Sequence, residues 1–256
     1  MKLSIITINY NNCDGLRKTI ESVVNQTCHE FEYIIIDGGS TDGSVDVIKQ
    51  YADKIDYWVS ETDNGIYNAM NKGISAAKGE YLNFMNSGDC FFDNTSVSNF
   101  NDINANEDIV FGNMIDSITG KRMGCIATDK ITAADFFTAS LPHQASFIRK
   151  QMFEKYGLYD EKYKIASDWK FFLYVIVFMN VSLRYIDINF ATFENLGIST
   201  SDHTTERDAI ITELFPPKII ADYTYALSLR DVYKSSLCRF LYSILYRIYR
   251  LIHKLN

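Results

Sequence analysis

Over about the first 90 residues, apolar positions follow two alternating periods. Residues 3–9 form a short β-branched run that predicts a buried strand. Within 14–26, Leu16, Ile20, Val23 and Val24 recur at helical spacing. Residues 31–36 predict a second buried strand that closes at Asp37, and 44–51 return to helical spacing. A short strand at 57–60, a helix at 66–77 and a strand at 81–85 complete the series. This strand–helix alternation predicts an α/β fold, Rossmann-like, with a mainly parallel central sheet flanked by helices. Ligands on such sheets bind beyond the carboxyl ends of the strands. Three polar clusters fall there: Thr7-Ile8-Asn9-Tyr10, Asp37 to Asp42, and Asn86-Ser87-Gly88-Asp89.

Beyond Cys90 the pattern loosens. Residues 108–112 and 145–149 predict strands, 133–137 a short helix and 151–156 a helical turn. The nine-residue apolar run from Phe171 to Met179 lies in a predicted buried helix, 169–179. A membrane span needs roughly 20 such residues, so the run is too short to cross a bilayer. Residues 181–187 and 189–194 suggest a strand pair. Pro216-Pro217 is a break, and the chain beyond it reads as helix.

Composition narrows the class. The 256 residues are 47% hydrophobic and 22% charged, which supports a full core and excludes wholesale disorder. A net charge of −7 argues against nucleic-acid binding. The charge is uneven, because residues 230–256 carry six basic groups and one acid. In that tail Leu237, Phe240, Leu241, Ile244, Leu245, Ile248, Leu251, Ile252 and Leu255 form an apolar stripe flanked by Arg239, Arg247, Arg250 and Lys254. This is the composition of an interfacial helix, and packing on its own domain or on a second copy in a homodimer is the alternative. Five scattered cysteines without a Cys-x-x-Cys pair suggest a reduced, cytoplasmic chain.

Gly38 and Gly43 have the spacing of a phosphate loop, but Ser44-Val45 follows where that loop needs Lys-Ser or Lys-Thr. The dinucleotide fingerprint also fails, since Gly38 and Gly39 are adjacent. Asp37, at a strand end, could accept the imide N–H of a uracil or thymine ring, or serve only in a capped turn. Asp89 follows a permissive glycine where a phosphate-bound cation could approach, and Mg²⁺ needs only one or two carboxylates besides phosphates and water. Asp168 heads an apolar helix, as an N-cap would.

Taken in order, five segments resemble family 2 glycosyltransferases of the GT-A fold. They are Ser4-Ile5-Ile6-Thr7-Ile8-Asn9-Tyr10-Asn11, Ile36-Asp37-Gly38-Gly39-Ser40-Thr41-Asp42-Gly43-Ser44, Asp63-Asn64-Gly65-Ile66-Tyr67-Asn68-Ala69-Met70-Asn71-Lys72-Gly73, Gly79-Glu80-Tyr81-Leu82 and Asn86-Ser87-Gly88-Asp89. Later segments are similar to that family's acceptor side: Leu141 to Phe147, Gly157 to Glu161, Ala166-Ser167-Asp168-Trp169 and Leu196 to Thr200. The resemblance spans roughly 1–205.

The resemblance implies a GT-A domain at 1–215 with a C-terminal helical extension at 216–256. Within the domain, 1–112 would be the nucleotide-sugar-binding half and 113–215 the acceptor half. Thr7, Asn9, Tyr10, Asp37, Asp63 and Lys72 would hold the nucleotide of a donor, with a UDP-sugar favoured. Asp89 would hold Mg²⁺ or Mn²⁺, although Asn86 and Gly88 stand where acids often occur in that family. Met70 likewise replaces a frequent Arg. Asp168 would be the general base of an inverting transfer to a glycan or lipid-linked acceptor. His143, Glu161 and His203 are candidates for contact with the diphosphate or the acceptor, and His143 has a structural alternative. The basic tail would place the enzyme peripherally on the inner face of a membrane. The rival is a non-catalytic nucleotide-sugar-binding module.

Overall fold

The computed structural model describes residues 2–193, 204–234, 241 and 243–245, with side chains omitted for 226–234. The chain divides into two compact units, Met1–Arg207 and Asp208–Asn256.

The first unit begins with β1 (Leu3–Asn9), α1 (Cys13–Val24), β2 (Phe31–Asp37), α2 (Ser44–Gln50), β3 (Tyr57–Ser60), α3 (Ile66–Ala76) and β4 (Tyr81–Phe84). These match the predicted series to within one or two residues at each end. The strands are buried β-branched runs, and the pleat sends alternate residues to opposite faces. Leu3 and Ile5 of β1 and Tyr33 and Ile35 of β2 share a buried cluster with Leu16, Ile20 and Val23 of α1 and Val47 and Ile48 of α2. Ile6 faces the other way, toward Gly73 of α3.

β5 (Cys90–Phe91), α4 (Ser96–Asp102), β6 (Ile109–Asp116), α5 (Ala133–Phe136), β7 (Ser146–Arg149), α6 (Lys150–Tyr156), α7 (Ser167–Leu173) and β8 (Leu183–Phe193) follow. Among the described residues the sheet has eight strands in the order β3-β2-β1-β4-β7-β6-β8-β5. Pairing is parallel from β3 through β4 and between β6 and β8, and antiparallel where β7 joins β4 to β6 and where β5 joins β8. This is the expected α/β architecture with a mainly parallel sheet.

Two expectations for the second half need correction, and two elements were not anticipated. The predicted strand pair at 181–194 is one strand, β8, whose pairing with β6 shifts register on either side of Asn113. The predicted helix at 169–179 starts at Ser167 and turns π-helical over Tyr174–Phe178. α4 and β5 had no sequence signal; α4 is held by Phe100, whose ring stacks on Phe147 at 3.9 Å.

The last two helices are α8 (Thr204–Leu214) and α9 (Pro217–Lys234). Pro217 opens α9, where its fixed φ and missing N–H cost nothing. Among the described residues no helix is long and apolar enough to cross a membrane.

Gly79 lies where the chain enters β4. A Cβ there would stand 2.5 Å from the backbone nitrogen of Ser4. The Gly79 N–H also donates to Ser4 Oγ at 2.8 Å, and Ser4 Oγ donates to the buried Glu32 at 2.6 Å. Gly79→Ala should therefore lower stability by about 1–3 kcal/mol through forced backbone displacement. Urea unfolding of the two proteins checks this.

Candidate active site

The parallel register puts Asn9, Asp37 and Ser60 in one row at the carboxyl ends of β1, β2 and β3. Asp37 is fully buried and accepts four hydrogen bonds. Asn9 Nδ2 donates to Oδ1 at 2.7 Å and Ser60 Oγ to Oδ2 at 2.6 Å. Ser40 donates its backbone N–H to Oδ2 at 2.9 Å and its hydroxyl to Oδ1 at 2.6 Å. Burial alone would raise the Asp37 carboxyl, but the Ser40, Ser60 and Asn9 donors hold it below the usual range.

Two loops are locked together by this group. The Asn11 N–H donates to Ser40 Oγ at 2.7 Å, and the Thr41 N–H donates to Asn11 Oδ1 at 2.8 Å. Tyr10 projects from the locked loop, 67% exposed. Asp63 approaches from the β3–α3 loop, its Oδ1 accepting the Gly65 N–H at 2.9 Å. A Cβ on Gly38 would meet Asp63 Oδ2 at 2.6 Å and the Tyr10 ring at 3.2 Å. The missing side chain therefore lets Tyr10, Asp63 and the Gly38 backbone share one concavity.

Four of the candidate nucleotide residues thus gather there: Tyr10, Asp63 and, behind them, Asp37 with its partner Asn9. Thr7 is buried deeper, donating to Met85 O at 2.8 Å beside the Tyr33 hydroxyl at 3.1 Å. Lys72 pairs with Glu61 at 2.7 Å and lines a separate cleft of about 480 Å³ between β3 and α3. Glu161 lines the same cleft, accepting from Asn68 at 2.9 Å and from Asn71 at 2.8 Å.

Asp89 lies in the turn after β4. Its Oδ2 accepts from Gln144 Nε2 at 3.0 Å, and burial pushes its pKa up to about 7 despite that bond. The turn is fixed by Thr19, whose Oγ1 donates to the Asp89 carbonyl at 2.7 Å and receives the Gly88 N–H at 2.9 Å. Asn86 Oδ1 is buried without a partner. Among the described residues no three His, Cys, Asp or Glu are grouped to hold a metal. One carboxylate and one orphaned amide oxygen nevertheless form a hard oxygen donor set. It suits Mg²⁺ or Mn²⁺ if phosphates and water complete the shell.

Asp168, in the first turn of α7, is half-buried. Its Oδ1 accepts from the Tyr67 hydroxyl at 2.7 Å, and the same hydroxyl lies 2.6 Å from Ile165 O. Burial first, and then the Asp168 charge, push the Tyr67 phenol far above its ordinary range, so it remains a proton donor. Asp168 Oδ2 has no hydrogen-bond partner among the described residues. His143 is buried and stacks on Phe84 at 5.0 Å, with Nε2 2.9 Å from the Tyr159 hydroxyl. Burial lowers its pKa, while Asp168 pulls the other way. The ring is packed among the aromatic side chains of Phe84, Tyr159 and Phe172. Gln144 next to it donates to Asp89.

Sequence reasoning missed Tyr67, Gln144 and Tyr159 as site groups. Tyr67 and Gln144 stood inside the quoted motifs, but their partners are 101 and 55 residues away. His203 and Leu196 to Thr200 lie outside the described residues.

Residues 4–123 match the family described as glycosyl transferase family 2. A PGL/p-HBAD biosynthesis glycosyltransferase of Mycobacterium tuberculosis is 30% identical over 203 residues, covering 76% of this chain and 77% of its own. An uncharacterized glycosyltransferase of the same species is 33% identical over 210 residues, covering 74% and 75%. The fold is similar to S. aureus TarS 1–349 in complex with UDP-GlcNAc, with a TM-score of 0.64, 19% identity and 79% of this chain covered. This chain spans 61% of that TarS chain and 39% of another TarS structure. It is also similar to the mannosyltransferase PcManGT from Pyrobaculum calidifontis in complex with GDP-Man and Mn2+. There the TM-score is 0.61 at 12% identity, with 96% of this chain and 80% of that one covered.

Asp37→Asn should remove roughly 1.5–3 kcal/mol of stability at neutral pH, because the bonds to Asp37 are made to a charge. The native carboxyl titrates below its unfolded value, so its contribution is full above the ordinary carboxylate range. It is lost as pH falls through the depressed native value. Denaturation of both proteins at pH 7 and pH 3 should show the gap closing at the lower pH.

Proposed function

The chain belongs to glycosyl transferase family 2, and we propose that it inverts an anomeric centre in moving a sugar from a nucleoside-diphosphate sugar to a glycan or lipid-linked acceptor hydroxyl. A UDP-sugar is the favoured donor. The observation that carries this reading is the setting of Asp168, half-buried in the first turn of α7 with Oδ1 held by the Tyr67 hydroxyl. The UDP-GlcNAc of the TarS complex and the GDP-Man and Mn2+ of PcManGT support a nucleotide-sugar donor and a divalent cation.

Tyr10 and Asp63 face the base and ribose, with Asp37 and Asn9 setting their loops from behind. Asp168 takes the acceptor proton as the acceptor oxygen bonds to the anomeric carbon and the bond from that carbon to the diphosphate breaks. A single displacement from the face opposite the leaving group inverts the centre, and a base so placed contributes typically ~10²–10⁴-fold. Asp89 and the Asn86 amide oxygen would hold a divalent cation, which supplies Lewis-acid stabilisation of the departing diphosphate. The aromatic wall around His143 keeps water from the far side of Asp168.

The tail adds a surface role. Leu241, Ile244 and Leu245 are exposed, and the sequence around them is basic. We place the enzyme peripherally on an anionic cytoplasmic membrane face, where each cation contributes about 1 kcal/mol.

Asp168→Asn should abolish transfer while UDP binding stays within about twofold of the wild type. The amide keeps the shape and accepts from Tyr67 but takes no proton. UDP release from UDP-GlcNAc with Mn²⁺, alongside UDP titration calorimetry, tests this; wild-type turnover by the variant would sink the assignment. Removing residues 234–256 should leave a folded protein that no longer co-sediments with phosphatidylserine vesicles. Equal sedimentation of both forms would assign the tail to packing against protein.

A further inference from the structure

α7 begins without help from its own residues. Its N-cap is Ala166, which has no side-chain acceptor for the first N–H groups. The segment leading into it is held from far along the chain, by Glu206 in the first turn of α8. Glu206 Oε1 accepts the Lys164 N–H at 2.8 Å, and Oε2 accepts the Ile165 and Ala166 N–H groups, both at 2.9 Å. Burial alone would raise this carboxyl, but the three N–H bonds hold it below its usual range. A carboxylate at this point also suits the positive end of the helix.

The next residue packs on the neighbour of Asp168. The Arg207 guanidinium lies 5.1 Å from the centroid of the Trp169 ring, and burial lowers its pKa while the Asp168 charge acts to raise it. Trp169 is fixed in turn, its indole N–H donating to Phe136 O at 3.1 Å. Both Glu206 and Arg207 belong to the first compact unit.

We propose that Glu206 is a positioning residue for Asp168. Three consecutive backbone bonds fix the segment 164–166, and Ile165 O in that segment is 2.6 Å from the Tyr67 hydroxyl that also reaches Asp168. A shift of the segment therefore changes the direction in which Asp168 presents its carboxylate. The residue need not touch donor or acceptor to act. The inference rests on Asp168 as the base.

The test uses the full chain with UDP-GlcNAc and Mn²⁺, reading UDP release, with Asp168→Asn measured in parallel. Glu206→Ala should lower release at saturating donor roughly 10–100-fold, the scale on which small misplacements act. The donor KM and calorimetric UDP affinity should stay within about twofold of the wild type, which also shows that the variant is folded. Glu206→Gln keeps one accepting oxygen and should recover most of the loss. Wild-type turnover by Glu206→Ala beside an inactive Asp168→Asn overturns the positioning role and leaves the base assignment standing. A parallel fall in turnover and UDP affinity also overturns it, because the defect is then in folding. Wild-type turnover by Asp168→Asn, or no UDP release by the wild type, removes the underlying reading and the inference with it.

Discussion

Four hydrogen bonds converge on the buried Asp37 carboxylate, and the order of the strand ends and loops around it depends on them. Their donors come from β1, β3 and the loop after β2. Parallel strands slip in register only if every side chain changes face, and this polar knot adds a second penalty against slippage. It also sets the loops that carry Tyr10 and Ser40. A buried charge with all its partners provided is tolerated, whereas the same charge with one donor missing is costly. The surrounding sequence therefore supplies three short polar side chains, Asn9, Ser40 and Ser60, as its donors.

The first half of the fold was legible because its signals are local. Each strand is a compact β-branched run, and each helix displays its stripe within a dozen residues. The second half is decided by distant partners. Residues 181–187 and 189–194 read as two strands, yet Asp187 accepts from Asn113 and Arg122 and β8 runs on as one strand. The irregularity lies in pairing with β6, where Gly112 leaves room for the Phe190 ring. α4 offers only Val97 and Phe100 as buried apolar residues, too few to announce a helix, and tertiary packing overrides the weak propensity.

The candidate site was legible as residues but not as roles. Motif strings reached Asp37, Asp63, Asp89 and Asp168, since strand ends and helix starts are visible in the pattern. They did not reveal that Asp37 is saturated by its own neighbours, or that Lys72 and Glu161 open on a different cleft. Nor did they signal Glu206, whose partners lie about forty residues upstream. Groups that touch a ligand keep company with turn residues, whereas groups that hold those groups in place have no local signature.

The antiparallel strand β7 has a mechanical consequence. It pairs with β4 on one side and β6 on the other, so the two parallel portions of the sheet are joined by a continuous hydrogen-bonded ladder. A sheet of this kind resists bending in its own plane far more than a linker does. The distance between the strand ends that flank β7 is thus built in when the chain folds and is not set afresh on each encounter with a ligand. Adaptation to a new acceptor would then proceed by rewriting loops on a rigid rib, with the spacing of the rib inherited unchanged.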